Sequence, residues 1–169
     1  GIGVTGYLQA PKYKRQWLSD VYSELRLFDK KYSNKHGFPT SIKLTTVKPS
    51  GTLSLLAGVS PGAHPAFSHF FIRRIRMASN SHLVEVCRKN GYSVEFQKNF
   101  DGSEDRNTVV VSFPCKVPKT TIVAKDMTAI DQLNIVKELQ NTWSDNAVSV
   151  TIYYKKEELN DIKAWLKQH

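Results

Sequence analysis

Apolar residues recur at helical spacing along Trp17, Val21, Leu25, Phe28 and Tyr32, and Leu18 and Tyr22 widen the stripe. This pattern predicts a long amphipathic helix of about 22–26 residues whose stripe faces a core. Pro11 suits its first turn, and Gly37 with Pro39 just beyond stops it. Ahead of it, Gly1 to Thr5 reads as the end of a short strand, and Gly6 permits a turn. Behind it, Ile42 to Val47 is a β-branched strand that ends in the turn signal Lys48-Pro49-Ser50-Gly51. Thr52 to Ala57 then reads as a short apolar helix, followed by a loop with Gly58, Pro61, Gly62 and Pro65.

The second half alternates in the same manner. Phe70 to Met77 is a strand, and Ser79 or Ser81 caps a helix that runs through Asn90 to Gly91. Tyr92 to Gln97 and Thr108 to Phe113 are strands expected to pair as a hairpin across a long tip with an Asp101-Gly102 turn. Thr120 to Ala124 is a further short strand candidate. Thr128 caps a helix from Ala129 to about Ser144, with Ile130, Leu133, Val136, Leu139 and Trp143 along one face. Ala147 to Tyr154 reads as a strand, and Glu157 to Gln168 as a last amphipathic helix. Alternation of strand and helix argues an α/β fold with several parallel strands.

Composition narrows the class. The chain has 169 residues, 40% apolar and 23% charged, which describes a soluble globular protein rather than a disordered one. No apolar run approaches the ~18–20 residues of a membrane span, and no secretory signal stands at the start. Cys87 and Cys115 are too few for a disulfide scaffold or a four-cysteine zinc site, and suit reduced thiols in a cytoplasmic protein. The formal charge of +9 favours polyanionic partners. It gathers between Pro11 and Lys48 and again at Arg73, Arg74 and Arg76, without the aromatic interleaving of a single-strand stacking platform.

The segment from Lys43 to Ser54 carries the sharpest chemistry. A strand running through a glycine turn into a helix start aims several backbone N–H groups and the positive helix end at one point. Gly51 lets a phosphate approach the backbone, and Ser50, Thr52 and Ser54 add hydroxyls. The spacing is not that of a Walker A loop, and a plain strand-to-helix turn with a threonine cap fits the same residues. His64 and His69 lack metal-ligand spacing. Asp101, Glu104 and Asp105 lack the spacing of a calcium loop. Cys87 and Cys115 read as structural, and Tyr153 and Tyr154 as strand residues facing opposite ways.

The run TTVKPSGTLSLLAGVSPGAHPAF with the following FFIRRIRMASN resembles class II ribonucleotide reductases. The likeness is greatest to the monomeric, adenosylcobalamin-dependent ribonucleoside-triphosphate reductases. GIGVTG, NFDGSEDRNTVVVSFPCK, AKDMTAIDQL and WSDNAVSVTIYY extend the likeness over nearly the whole chain. The resemblance implies the C-terminal part of a ten-stranded α/β barrel. Residues 1–169 would form a single segment of that larger catalytic domain, with a β-hairpin-like insertion near 92–124. It implies that Ser50, Gly51, Thr52, Leu53 and Ser54 bind the substrate's phosphates, and that the loop from Val59 to Pro65 lines the same cavity. It further implies a ribonucleotide substrate, adenosylcobalamin, a thioredoxin-type reductant and the remainder of the reductase chain as partners.

The family's radical cysteine lies in an Asn-x-Cys-x-Glu loop, and that pattern does not occur in this chain. Neither Cys87 nor Cys115 sits in the context of the family's reducing pair. The isolated chain is therefore expected to be catalytically inert, and no catalytic residue is assigned. Strand edges lacking their barrel neighbours are expected to promote self-association. The alternative on the residues alone is a free-standing nucleotide- or nucleic-acid-binding module without catalysis.

Overall fold

A computed structural model describes residues 1–51, 54 and 57–169. In chain order the elements are β1 (Ile2–Val4), α1 (Lys12–Arg15), α2 (Trp17–His36), β2 (Thr45–Val47), β3 (Phe70–Ala78), α3 (His82–Lys89), β4 (Ser93–Lys98), β5 (Glu104–Lys116), α4 (Ala129–Thr142) and α5 (Leu159–Gln168). Short 3₁₀ turns stand at Tyr7–Gln9, Ala124–Asp126 and Lys156–Glu158. The chain divides into two compact units, one of Gly1–Ser68 with Lys119–His169, the other of His69–Pro118.

In the first unit, β1 and β2 run parallel, with Ile2 opposite Thr45 and Val4 opposite Val47. The core gathers Tyr7, Leu8, Val47, Ala63, Leu139 and Trp143, with Leu18, Tyr22, Leu25 and Ile135 packed against it. Thr128 and Asp131 form the reciprocal capping box that starts α4. Glu158 accepts from the Ala129 N–H at 2.9 Å and so ties the approach to α5 onto the start of α4. Gly37 ends α2 at φ 71°, a left-handed conformation that glycine adopts without a Cβ penalty.

Several elements differ from the sequence pattern. The first helix is divided at Gln16 into α1 and α2. Its dominant stripe does not face the core: Trp17 is 54% exposed and Phe28 65%, with Val21 and Tyr32 also exposed. The packed face lies roughly a quarter turn round the helix, through Leu18, Tyr22, Leu25 and Arg26. Burial depends on which neighbours a helix has, and periodicity reports only that an apolar face exists. Ile42 to Leu44 is not strand, and Ile42 stands in solvent. Of Thr120 to Ala124, only a parallel bridge from Val123 to Ala66 forms.

Ala147 to Tyr154 joins no strand ladder among the described residues. Side chains hold its backbone instead: His64 Nε2 accepts from the Thr151 N–H, and Gln132 bonds both backbone groups of Tyr153. Its alternation survives as half-buried Val148, Val150 and Ile152. A strand needs a partner edge as well as a pattern.

The second unit is an antiparallel sheet in the order β3-β5-β4. The expected hairpin forms between β4 and β5, with a bulge between Phe96 and Gln97. Val84 of α3 packs on Val109 and Val111, flanked by Met77, Cys87, Val94 and Phe113. The strand period divides the arginine cluster, since Arg74 and Arg76 are exposed and Arg73 lies on the opposite, half-buried face. The described residues thus establish an α/β fold with both parallel and antiparallel pairing, and among them no barrel closes.

Candidate phosphate-binding site

The strand-end turn after β2 is built from both sides. The Lys48 N–H donates to the Val4 carbonyl at 3.0 Å, extending the parallel pairing, and the Ser50 N–H turns back onto the Lys48 carbonyl at 2.7 Å. Ser54 is fully buried, and its hydroxyl donates to the Ser50 carbonyl, stapling the turn closed. Ser50 is half-buried and Gly51 exposed. Thr52 and Leu53, expected to complete this site, lie outside the described residues, as does most of the short helix expected after them.

Gly51 is distinctive for what does not require it to be glycine. Its φ is not positive, and a Cβ added there meets nothing within 4 Å among the described residues. Gly62 is the opposite case. At φ 55°, an added Cβ would lie 3.2 Å from Pro49 Cα and N and from Val47 Cγ1. The loop from Val59 to Pro65 therefore meets the strand-end turn backbone to backbone. That loop is latched to the chain after β1. The Ser60 carbonyl accepts from the Gly6 N–H, the Gly62 N–H donates to Thr5 Oγ1 and the Ser60 N–H donates to Gln9 Oε1.

The edge of β2 away from β1 is held by the turn at 143–146. The Asp145 N–H and the Asn146 side-chain amide donate to the Thr45 carbonyl, and Trp143 Nε1 donates to the Thr46 carbonyl at 2.9 Å. The Asp145 carboxylate takes the Leu44 N–H at 2.8 Å, the Thr45 N–H and hydroxyl at 3.2 Å, and the Tyr22 hydroxyl and Arg26 guanidinium at 2.7 Å each. Arg26 also donates to the Ser41 and Ile42 carbonyls. Burial pushes the Asp145 carboxyl up, but the hydrogen bonds from Leu44, Tyr22, Thr45 and Arg26 outweigh it and hold the group well below the usual carboxylate range. Sequence reasoning did not single out Asp145, Arg26 or Thr45. The available signal was WSDN, a polar turn directly after an apolar helix face.

The geometry at His64 places its proton on Nδ1, which donates to the Pro61 carbonyl while Nε2 accepts from Thr151. Among the described residues no group of three His, Cys, Asp or Glu could hold a metal ion. Cys87 and Cys115 are free, half-buried thiols. Asp101 folds onto Ser103 at the exposed tip between β4 and β5. A shallow cavity of about 400 Å³ at the start of α3, between Ser79 and Arg88, contains none of the expected site residues. No described helix is long and apolar enough to cross a membrane.

Residues 9–168 match the family described as ribonucleotide reductase, barrel domain. A probable adenosylcobalamin-dependent ribonucleoside-triphosphate reductase of Dictyostelium discoideum is 39% identical over 140 residues, covering 83% of this chain and 18% of the relative. The adenosylcobalamin-dependent ribonucleoside-triphosphate reductase of Euglena gracilis is 39% identical over 143 residues, covering 85% and 19%. The crystal structure of a B12-dependent class II ribonucleotide reductase superposes with a TM-score of 0.74 at 33% identity, over 94% of this chain and 22% of that one. The chain thus spans about a fifth of the length of these relatives.

Proposed function

Because this chain belongs to the ribonucleotide reductase barrel-domain family, we propose that it is the C-terminal part of a ten-stranded α/β barrel and supplies its substrate phosphate-binding turn. In this reading residues 1–169 are one segment of the catalytic domain with a hairpin-like insertion near 92–124. The intact enzyme reduces ribonucleoside triphosphates to deoxyribonucleotides. Adenosylcobalamin supplies the radical that starts that chemistry, and a thioredoxin-type protein returns the reducing equivalents.

Gly51 is the observation that carries the reading. Among the described residues neither its backbone conformation nor its packing demands glycine, and a ligand that must approach the main chain supplies a reason for one. Ser50 and Gly51 stand at that approach, at the end of β2. The buried Ser54 hydroxyl shapes the turn by closing it on Ser50. In this reading adenosylcobalamin serves the intact enzyme, and the chain by itself, in which the Asn-x-Cys-x-Glu pattern does not occur, reduces no nucleotide.

Calorimetric titration of the chain with inorganic triphosphate and with a ribonucleoside triphosphate tests the site. Saturable binding that Gly51→Asp abolishes is expected. Affinity untouched by Gly51→Asp overturns the assignment. Binding of a nucleic acid that falls steeply with salt, through several phosphate contacts, would instead mark a nucleic-acid surface.

A further inference from the structure

β2 ends in the turn assigned to phosphate, and its position along its own axis decides where that turn stands. One edge is set by pairing with β1. On the other edge, side chains and backbone of residues 143–146 take the place of a neighbouring strand. Thr45 is fully buried there, with its N–H, carbonyl and hydroxyl all engaged by this turn. The Asp145 carboxylate reaches across to α2 as well, and with Arg26 it grips the lead-in to β2 at Ser41, Ile42, Leu44 and Thr45.

We infer that Asp145 is a positioning residue for substrate phosphate: it sets the axial register of β2 against α2 and β1, and so places Ser50 and Gly51. This rests on the phosphate-binding reading of the turn. A carboxylate suits the task because it has two oxygens with several lone pairs and no donor of its own. Oδ1 takes Tyr22 and Arg26, and Oδ2 takes Leu44 and Thr45. An asparagine of the same shape must point an NH₂ group at one of these donor sets, which pushes β2 or α2 away.

The test compares Asp145→Asn and the milder Asn146→Ala with Thr128→Ala, which weakens the same unit at the far-removed cap of α4. In the ligand-free chain, the amide resonances and hydrogen exchange of Ser50 and Gly51 are expected to change in the first two variants and to stay unchanged in Thr128→Ala. Triphosphate affinity is expected to fall about tenfold in Asp145→Asn, the scale of one lost charge-assisted hydrogen bond, less in Asn146→Ala, and not in Thr128→Ala. Turn amides that ignore Asp145→Asn and Asn146→Ala overturn the inference whatever the ligand does. So does a triphosphate affinity that Thr128→Ala lowers as much as Asp145→Asn. Failure of the phosphate reading shows itself separately, as binding that Gly51→Asp leaves intact.

Discussion

Phe28→Ala and Leu139→Ala separate the two helix faces of the first unit by energy. Leu139 is fully buried in the cluster with Tyr7, Leu8, Val47, Ala63 and Trp143. Truncating such a leucine costs about 2.7–5 kcal/mol, because the transfer term and the cavity term add. Phe28 stands on the periodic apolar stripe of α2 yet is 65% exposed. Full burial of such a side chain contributes about 1.5–3 kcal/mol, so a third of it is roughly 0.5–1. Alanine's better helix propensity returns about half a kcal/mol. The net loss for Phe28→Ala is therefore about 0–0.5 kcal/mol. Urea unfolding followed by tryptophan fluorescence is the assay, since Trp17, Trp143 and Trp165 all belong to the first unit. In thermal melts, Leu139→Ala should lower the midpoint by roughly 5–20 °C and Phe28→Ala by at most ~2 °C. Equal losses would refute the reasoning and show that the α2 stripe is covered in solution.

Four further outcomes follow from the same geometry. Thr128→Ala should cost about 1 kcal/mol by equilibrium denaturation, through loss of the capping box on α4. Gly62→Ala should cost about 1–2 kcal/mol from its left-handed backbone alone, and more from crowding against Pro49, whereas Gly51→Ala should leave the unfolding midpoint nearly unchanged. Asp145 and Asp131 are held below their ordinary range by hydrogen bonding to their charged forms, which at Asp145 wins against burial. Each therefore contributes stability that is present above the unfolded-state value near ~4 and is lost as pH falls through the folded-state value. Urea midpoints measured from pH 7 downward should fall accordingly, with a visibly flatter profile in Asp145→Asn. Purified chain supplied with adenosylcobalamin, a dithiol and a ribonucleoside triphosphate should form no deoxyribonucleotide, since the Asn-x-Cys-x-Glu pattern does not occur in it, and product formation would refute that expectation.

The sequence by itself determined what short-range chemistry controls. Gly37, with no Cβ, stops α2. Thr128 and Asp131 cap α4 because their side chains reach backbone N–H groups one turn away. The β4–β5 pairing follows from alternation on either side of an Asp-Gly turn. The strand-turn junction at Lys48 to Gly51 was legible for the same reason, and so was the family, through motifs spread in order along the chain. Tertiary structure alone decided which apolar faces are covered. The stripe of Trp17 and Phe28 is periodic but exposed, and Ala147 to Tyr154 alternates without a ladder. It alone brought Asp145 onto the edge of β2, about a hundred residues away in the chain. A pattern of apolar and polar positions records that a face or an edge exists. Only the neighbour that meets it fixes its burial, its hydrogen bonds and its charge, and those neighbours are distant in sequence.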